Sequence, residues 1–318
     1  MSQILTVGDV TIDRILEVEE QEASLNCSLK SHACEICFKY GEKIPIKSSF
    51  VSFGGGALNC ALGFKRLGLD VAIATFVGED REGADLINFL QSKHIKVFCQ
   101  RAGQTNHSTV VVYKNERTVL SYHSPRNYQN LSLPVADWIY LASAGKGSDV
   151  LKEKIIAEVN RGSKLVFNPG NWELQNFDNF IPLLKYCAVL ILNRSEANLV
   201  MPDLKEPKLQ LEKMQNYGVK IAVITDAQNG AYFGVRGRVF HINSLAVDVK
   251  DPTGAGDAFA SGFIGGIILG ATLEESAKWG MVNATSVIEN IGANSGLLTK
   301  DEIVNLLKKI AIFRIVAL

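Results

Sequence analysis

The sequence predicts an α/β protein, a sheet of buried parallel strands with helices on both faces, beside a small antiparallel sheet. Three observations carry this. Short apolar runs closed by turn or polar residues recur along the chain, as fully buried parallel strands do. Helical stretches separate them, so strand and helix alternate. Two segments, 14–53 and 107–123, break that alternation and read as polar-alternating strands joined by turns.

In chain order, "ILTVGD" (4–9) is the first strand, with Asp9 and Asp13 at and beyond its end in "VGDVTID". Segment 14–53, including "EICFKYGEKIPIKSSFVSF", is the first excursion. The glycine cluster of "SFGGGALNCALGFKRLG" (52–68) then opens a helix over 57–67. Strand "VAIATFVG" (71–78) and helix 80–92 follow, then the second excursion, "HSTVVVYKNERTVLSYH", turning at Lys114-Asn115-Glu116. Strands "WIYLAS" (138–143), "KLVFNPG" (164–170), "AVLILN" (188–193) and "IAVITD" (221–226) alternate with helices 149–161, 194–201 and 207–217. Helices 257–270, 273–289 and 300–310 close the chain, and the apolar end "IAIFRIVAL" reads as a final strand or an interface patch. No repeat, low-complexity linker or long charge run marks a boundary, so residues 1–318 read as one domain. The excursions form either a lid beside a site or a structural outgrowth.

The 33 basic and 33 acidic residues cancel, which removes the electrostatic argument for nucleic acid or an anionic membrane. The N-terminus has no basic n-region, and the long uncharged run Ala258 to Leu273 is Gly-rich and shorter than the ~20 residues of a membrane span. A cytoplasmic protein is expected. Three of the six cysteines cluster in "NCSLKSHACEICF". Cys27, His32, Cys34 and Cys37 match no paired zinc-knuckle spacing, so reduced thiols on a strand or loop are expected rather than zinc ligands or a disulfide framework.

The familiar nucleotide motifs are absent: there is no G-x-x-x-x-G-K-[ST], and "GGGALN" is not G-x-G-x-x-G. "DPTGAGD" (251–257) offers another design. Gly254 and Gly256 allow close approach of backbone, and the helix that follows points free N–H groups and its positive end at the turn. That is an anion hole suited to a phosphoryl group. Asp257 at the same helix start could take a proton from a substrate hydroxyl, or could merely cap the helix. In "LNRSEA", Asn193 and Glu196 stand three apart and could order waters around magnesium, or form a capping box. Asp9 and Asp13, beyond a strand end, are placed for sugar hydroxyls or for solvent.

"GGGALNCALGFKRLG" and "DPTGAGDAFASGF", with "GDVTID", "LNRSEA", "VITDAQNGA" and "NATSVIENIGA" in the same order, resemble the ribokinase-like (PfkB-type) carbohydrate kinases over essentially the whole chain. The resemblance implies a doubly wound α/β/α sandwich with a β-lid, a homodimer through that lid, and ATP-dependent phosphorylation of a sugar hydroxyl. It implies Asp257 as base and the amides of Gly254, Ala255 and Gly256 as the anion hole. Asp13, Gly55 and Asn59 would contact the sugar, and Asn193 and Glu196 would hold the magnesium–phosphate waters. Thr225 and Gly230 would line the nucleotide, with Asn283 near the adenine. Asp251, Thr253 and Gly292 would surround a monovalent cation such as potassium. Ala227 stands where the family usually has glycine, and Pro252 where threonine is commoner. Two other readings remain: a nucleoside kinase, with a base stacked on Phe38, Tyr40 or Tyr122, and a non-catalytic sugar or nucleotide sensor, which would need no base at Asp257.

Overall fold

The computed structural model describes residues 2–28, 33–114, 116–309 and 313–318. β1 (Ser2–Val7) leads into β2 (Thr11–Val18), the hairpin β3 (Ala23–Ser28) and β4 (Ala33–Phe38), and β5 (Ile46–Gly54). α1 (Gly56–Arg66), β6 (Val71–Val77), α2 (Arg81–Ser92) and β7 (Lys96–Arg101) return to the body before β8 (His107–Tyr113) and β9 (Glu116–Tyr122) leave it again. There follow β10 (Ala136–Leu141), α3 (Asp149–Asn160), β11 (Lys164–Phe167), α4 (Asn171–Gln175), α5 (Ile181–Leu184) and β12 (Cys187–Asn193). Then come α6 (Arg194–Val200), α7 (Pro207–Asn216), β13 (Ile221–Thr225), β14 (Ala231–Val235) and β15 (Arg238–Ile242). α8 (Ala255–Ile268), α9 (Leu273–Ile288), α10 (Lys300–Lys309) and β16 (Ile315–Ala317) complete the chain.

The main sheet has ten strands in the order β16-β15-β14-β13-β12-β11-β10-β1-β6-β7. From β7 to β13 all pairings are parallel, and β14, β15 and β16 add an antiparallel edge. Every residue of β6 is buried, which is why its sequence is an unbroken apolar run rather than an alternation. The two faces of the sheet carry separate apolar cores: Ile4, Val71, Ile73 and Tyr140 pack against α1 and α8, while Leu5, Val7, Ala72 and Ile139 face α3, α5 and α7. β1 is the centre from which the chain winds both ways, so the strand order reverses between β1 and β10. The apolar C-terminus is a strand, with Ile315 opposite Ile242.

The lid differs from expectation in one respect. Its four strands run β5-β2-β8-β9, and β2 pairs with β8 in parallel, Asp13 opposite Ser108. The two excursions leave the main sheet in the same direction and meet side by side, so only their own hairpin pairs are antiparallel. The expectation of reduced thiols is corrected here. Register in the β3–β4 hairpin sets Cys27 directly opposite Cys34, with Cα atoms 4.0 Å apart, and the two form a disulfide. Cys37 remains free, and His32 of the considered zinc set lies outside the described residues. Among the described residues no group of three or more His, Cys, Asp and Glu is gathered as a metal-ligand cluster, and no helix is long and apolar enough to cross a membrane.

Candidate active site

In an open α/β sheet the ligand crevice lies beyond the carboxyl ends of the strands, where the order reverses. A cleft of about 300 Å³ opens there, lined by Ser143 after β10, Asn168 after β11, Asn193 and Thr225 at the ends of β12 and β13, and Gly254–Asp257 at the start of α8. A larger open hollow of about 750 Å³, bordered by Gln215, Ile221 and Arg236, sits at the opposite end of β13 and gathers no such set of strand-end polar groups.

α8 begins with Gly254 as N-cap, in the left-handed region at φ 81°, and no side chain caps it. Asp257 therefore does not spend its carboxylate on the helix end. Asn59 of α1 donates its Nδ2 to Asp257 Oδ2 at 2.8 Å, and the Cys60 thiol lies 3.8 Å from Oδ1. Asn59 is held in turn by Asn294, whose Nδ2 donates to Asn59 Oδ1 at 3.1 Å and to the Phe53 carbonyl at 2.9 Å. Burial pushes the Asp257 pKa from 3.8 up to about 6, against the pull of Asn59 and Cys60. Burial and the Asp257 charge both raise the Cys60 thiol, which stays protonated as a donor. At the turn, the Ala255 amide leans back on the Pro252 carbonyl at 3.3 Å, whereas the amides of Gly254 and Gly256 have no protein acceptor among the described residues.

On the lid side, Asp13 lies on β2 with Thr11 Oγ1 at 3.3 Å. Burial raises its pKa, opposed by hydrogen bonds from Ser108 and Thr11. Gly55, at φ 97°, could carry no side chain, since a Cβ would stand 2.6 Å from the Asp9 carbonyl oxygen. The same glycine run lies between the two acids: a Cβ at Gly54 would stand 2.6 Å from Asp13 Oδ2 and one at Gly56 3.5 Å from Asp257 Oδ1, while Asp257 lines the cleft and Asp13 is not among its lining residues. Asp9 itself is buried, with Arg126 Nε 3.2 Å from its Oδ1, so it serves the floor rather than the cleft.

On the other side, Asn193 and Glu196 form a reciprocal capping box, Asn193 Oδ1 accepting from the Glu196 amide at 2.9 Å and Glu196 Oε2 from the Asn193 amide at 2.8 Å. Both still line the cleft, and Glu196 Oε1 accepts nothing from the described residues. Burial raises the Glu196 pKa, the Asn193 amide opposes it, and the nearby Asp257 charge adds to the rise. Thr225 lines the cleft and Gly230 closes the following loop by accepting the Asp226 amide at 2.8 Å. Asn283 does not reach the cleft. It is buried in helix packing, donating Nδ2 to the Ala258 carbonyl at 2.8 Å and accepting the Leu298 amide at 3.0 Å.

Ala227 adopts φ 44°, the left-handed region that favours glycine. Ala227→Gly is therefore expected to stabilise the protein by about 1 kcal/mol, read as a higher Tm.

Asp251 is fully buried, and Arg117 of lid strand β9 reaches it, Nη1 2.5 Å from Oδ1. Its two oxygens also accept the amides of Thr253 at 2.8 Å and Gly292 at 2.7 Å. Burial alone would raise its pKa, but the bonds from Arg117, Gly292 and Thr253 outweigh it and hold the carboxyl below the usual range. Arg117, Asn294 and Cys60 are the residues that the motifs do not announce.

The fold, with a helix start whose amides are open and a carboxylate beside it but no P-loop, is that of the ribokinase-like α/β kinases. The chain belongs to the pfkB family of carbohydrate kinases, whose profile matches residues 1–300. It is 26% identical over 310 residues to an ATP-dependent 6-phosphofructokinase of Thermoanaerobacterium thermosaccharolyticum, covering 91% of this chain and 89% of that one. It is 24% identical over 326 residues to a nucleoside kinase of Methanocaldococcus jannaschii, covering 97% and 98%. Among solved structures, a Thermotoga maritima ribokinase superposes with a TM-score of 0.77 at 18% identity, covering 97% of this chain and 100% of that one. A Burkholderia thailandensis nucleoside kinase in complex with inosine gives 0.76 at 18% identity, covering 98% and 99%.

Proposed function

We propose that the chain transfers the γ-phosphoryl group of ATP to a hydroxyl of a small sugar. The observation that carries this is Asp257, an acid freed from helix capping and held by Asn59 beside the open amides of the α8 start. Asp257 takes the proton as the substrate oxygen attacks phosphorus. The amides of Gly254 and Gly256 receive the charge that gathers on the transferring group. Asp13 anchors other hydroxyls, and Gly55 lets the sugar sit against the backbone. Asn59, whose Nδ2 holds Asp257 Oδ2, orients the base. Thr225 and the loop through Gly230 border the nucleotide phosphates. Asn193 and Glu196 would hold magnesium, which when bound screens the nucleotide's charge; the free Glu196 oxygen on the cleft wall fits that role.

A nucleoside acceptor is the second reading. Its support is the similarity to nucleoside kinases; the His107 and Tyr122 rings stack 5.0 Å apart in register with Ile12, on the lid face opposite to that of Asp13, so a base beside Asp13 would not lie on them. A phosphorylation panel of pentoses, hexoses, sugar phosphates and nucleosides, with ATP and then ADP, separates the readings. Transfer from ATP to a sugar is expected. Nucleoside-only transfer would favour the second reading, and silence across the panel would favour a sensor.

A further inference from the structure

Asp251, Thr253 and Gly292 are the residues that the family resemblance assigns to a monovalent cation, and their geometry does not fit one. Gly292 turns its N–H, not its carbonyl, to Asp251 Oδ2 at 2.7 Å, and the Thr253 amide meets Oδ1 at 2.8 Å. The Arg117 guanidinium stands 2.5 Å from Oδ1 and donates also to Thr253 Oγ1. Every partner of the carboxylate is a donor, and a metal cation beside it would meet the guanidinium's like charge. A fully buried carboxylate needs a countercharge, and the chain provides one.

The position of this pair gives it a consequence for the reaction. Arg117 belongs to lid strand β9, opposite Val112 of β8. Asp251 and Thr253 belong to the segment that runs directly into Gly254 and the start of α8. The ion pair thus ties the lid to the anion-hole turn. Arg117 keeps 19% of its side chain exposed, so the contact lies at the lid–body boundary rather than in a core.

We propose that Arg117 is a positioning residue that supplies the positive charge at Asp251 from within the chain, so that closing the lid orders the Gly254–Gly256 turn and turnover needs no added monovalent cation. This rests on the kinase reading above. Rates of the wild-type full chain in potassium, sodium and choline chloride are expected to agree. Potassium activation of about fivefold or more, the scale of a real coupling, would overturn the proposal. Arg117→Met is expected to lower kcat by about ten- to a hundredfold, with sugar KM little changed. Potassium or millimolar guanidinium should restore much of that loss, a rescue that a merely structural arginine would not give. An unchanged kcat, or a folded variant that neither cation rescues, would overturn it. Should Arg117→Met not fold, Arg117→Lys and the wild-type salt series decide. If the wild type phosphorylates nothing, the kinase reading fails separately. The Arg117 assignment is then read from melting: the Tm of Arg117→Met should rise in potassium over choline while that of the wild type does not, and equal responses would overturn it.

Discussion

Asp257→Asn is expected to lower kcat by about a hundred- to ten-thousandfold, the range for removing a general base, while sugar binding measured by calorimetry survives. The amide keeps the size of the carboxylate and can still face Asn59, so the loss reports proton transfer rather than collapse of the cleft. An unchanged kcat would sink the assignment. The pH dependence gives a second reading of the same residue. With a pKa of about 6, Asp257 loses its basic form as the pH falls through 6, so kcat/KM should drop tenfold per pH unit below that point. Stability should move the opposite way. A carboxyl raised from 3.8 to about 6 by burial is held protonated by the fold, so its stabilising contribution is full below pH 3.8 and is lost as the pH rises through 6. At pH 7.5 the uncharged asparagine removes the cost of burying a charge, and the variant should melt higher than the wild type. Higher Tm with lost turnover is the pattern of a site that holds its reactive group at the expense of stability.

Most of the sheet was legible because parallel strands buried on both faces are continuous apolar runs, and β1, β6, β10, β12 and β13 fall where those runs lie. The helix starts were legible from glycine and acid at turns, down to Gly254 and Asp257. What escaped depends on distance in sequence. Arg117 looks like one more polar residue on an alternating strand, and nothing local ties it to Asp251. The resemblance gives Asn59 to the sugar, and nothing local shows its partner Asp257, brought to it by the packing of α1 on α8. Asn283 shows the reverse: its place in a family-like segment says nothing of the carbonyl and amide that its side chain meets. The Cys27–Cys34 bond needed the hairpin register, which a one-residue slip would have undone.

Gly254→Ala is the other substitution with a large expected effect, and its cause is steric. At φ 81° the backbone is in a region where an L-residue is strained, and an added Cβ would lie 1.9 Å from the Ala293 carbonyl oxygen and 2.6 Å from its carbon. Both atoms are backbone, in the loop that also carries Gly292 and Asn294, so no side chain can swing aside. The turn must move, and with it the Gly254 and Gly256 amides, the Asp251 hydrogen bonds and the Asn294–Asn59 support of the base. Strain at such a position costs about 1–3 kcal/mol, a clear fall in Tm. Misplacing an anion-hole donor costs about a hundred- to a thousandfold in kcat. Gly256→Ala separates the two causes. A Cβ there meets nothing within 4 Å, so its Tm should match the wild type, and any loss of rate reports contact with the transferring group. If Gly254→Ala keeps both Tm and kcat, the turn is not the rigid donor required of it, and the phosphoryl group must be stabilised elsewhere in the cleft.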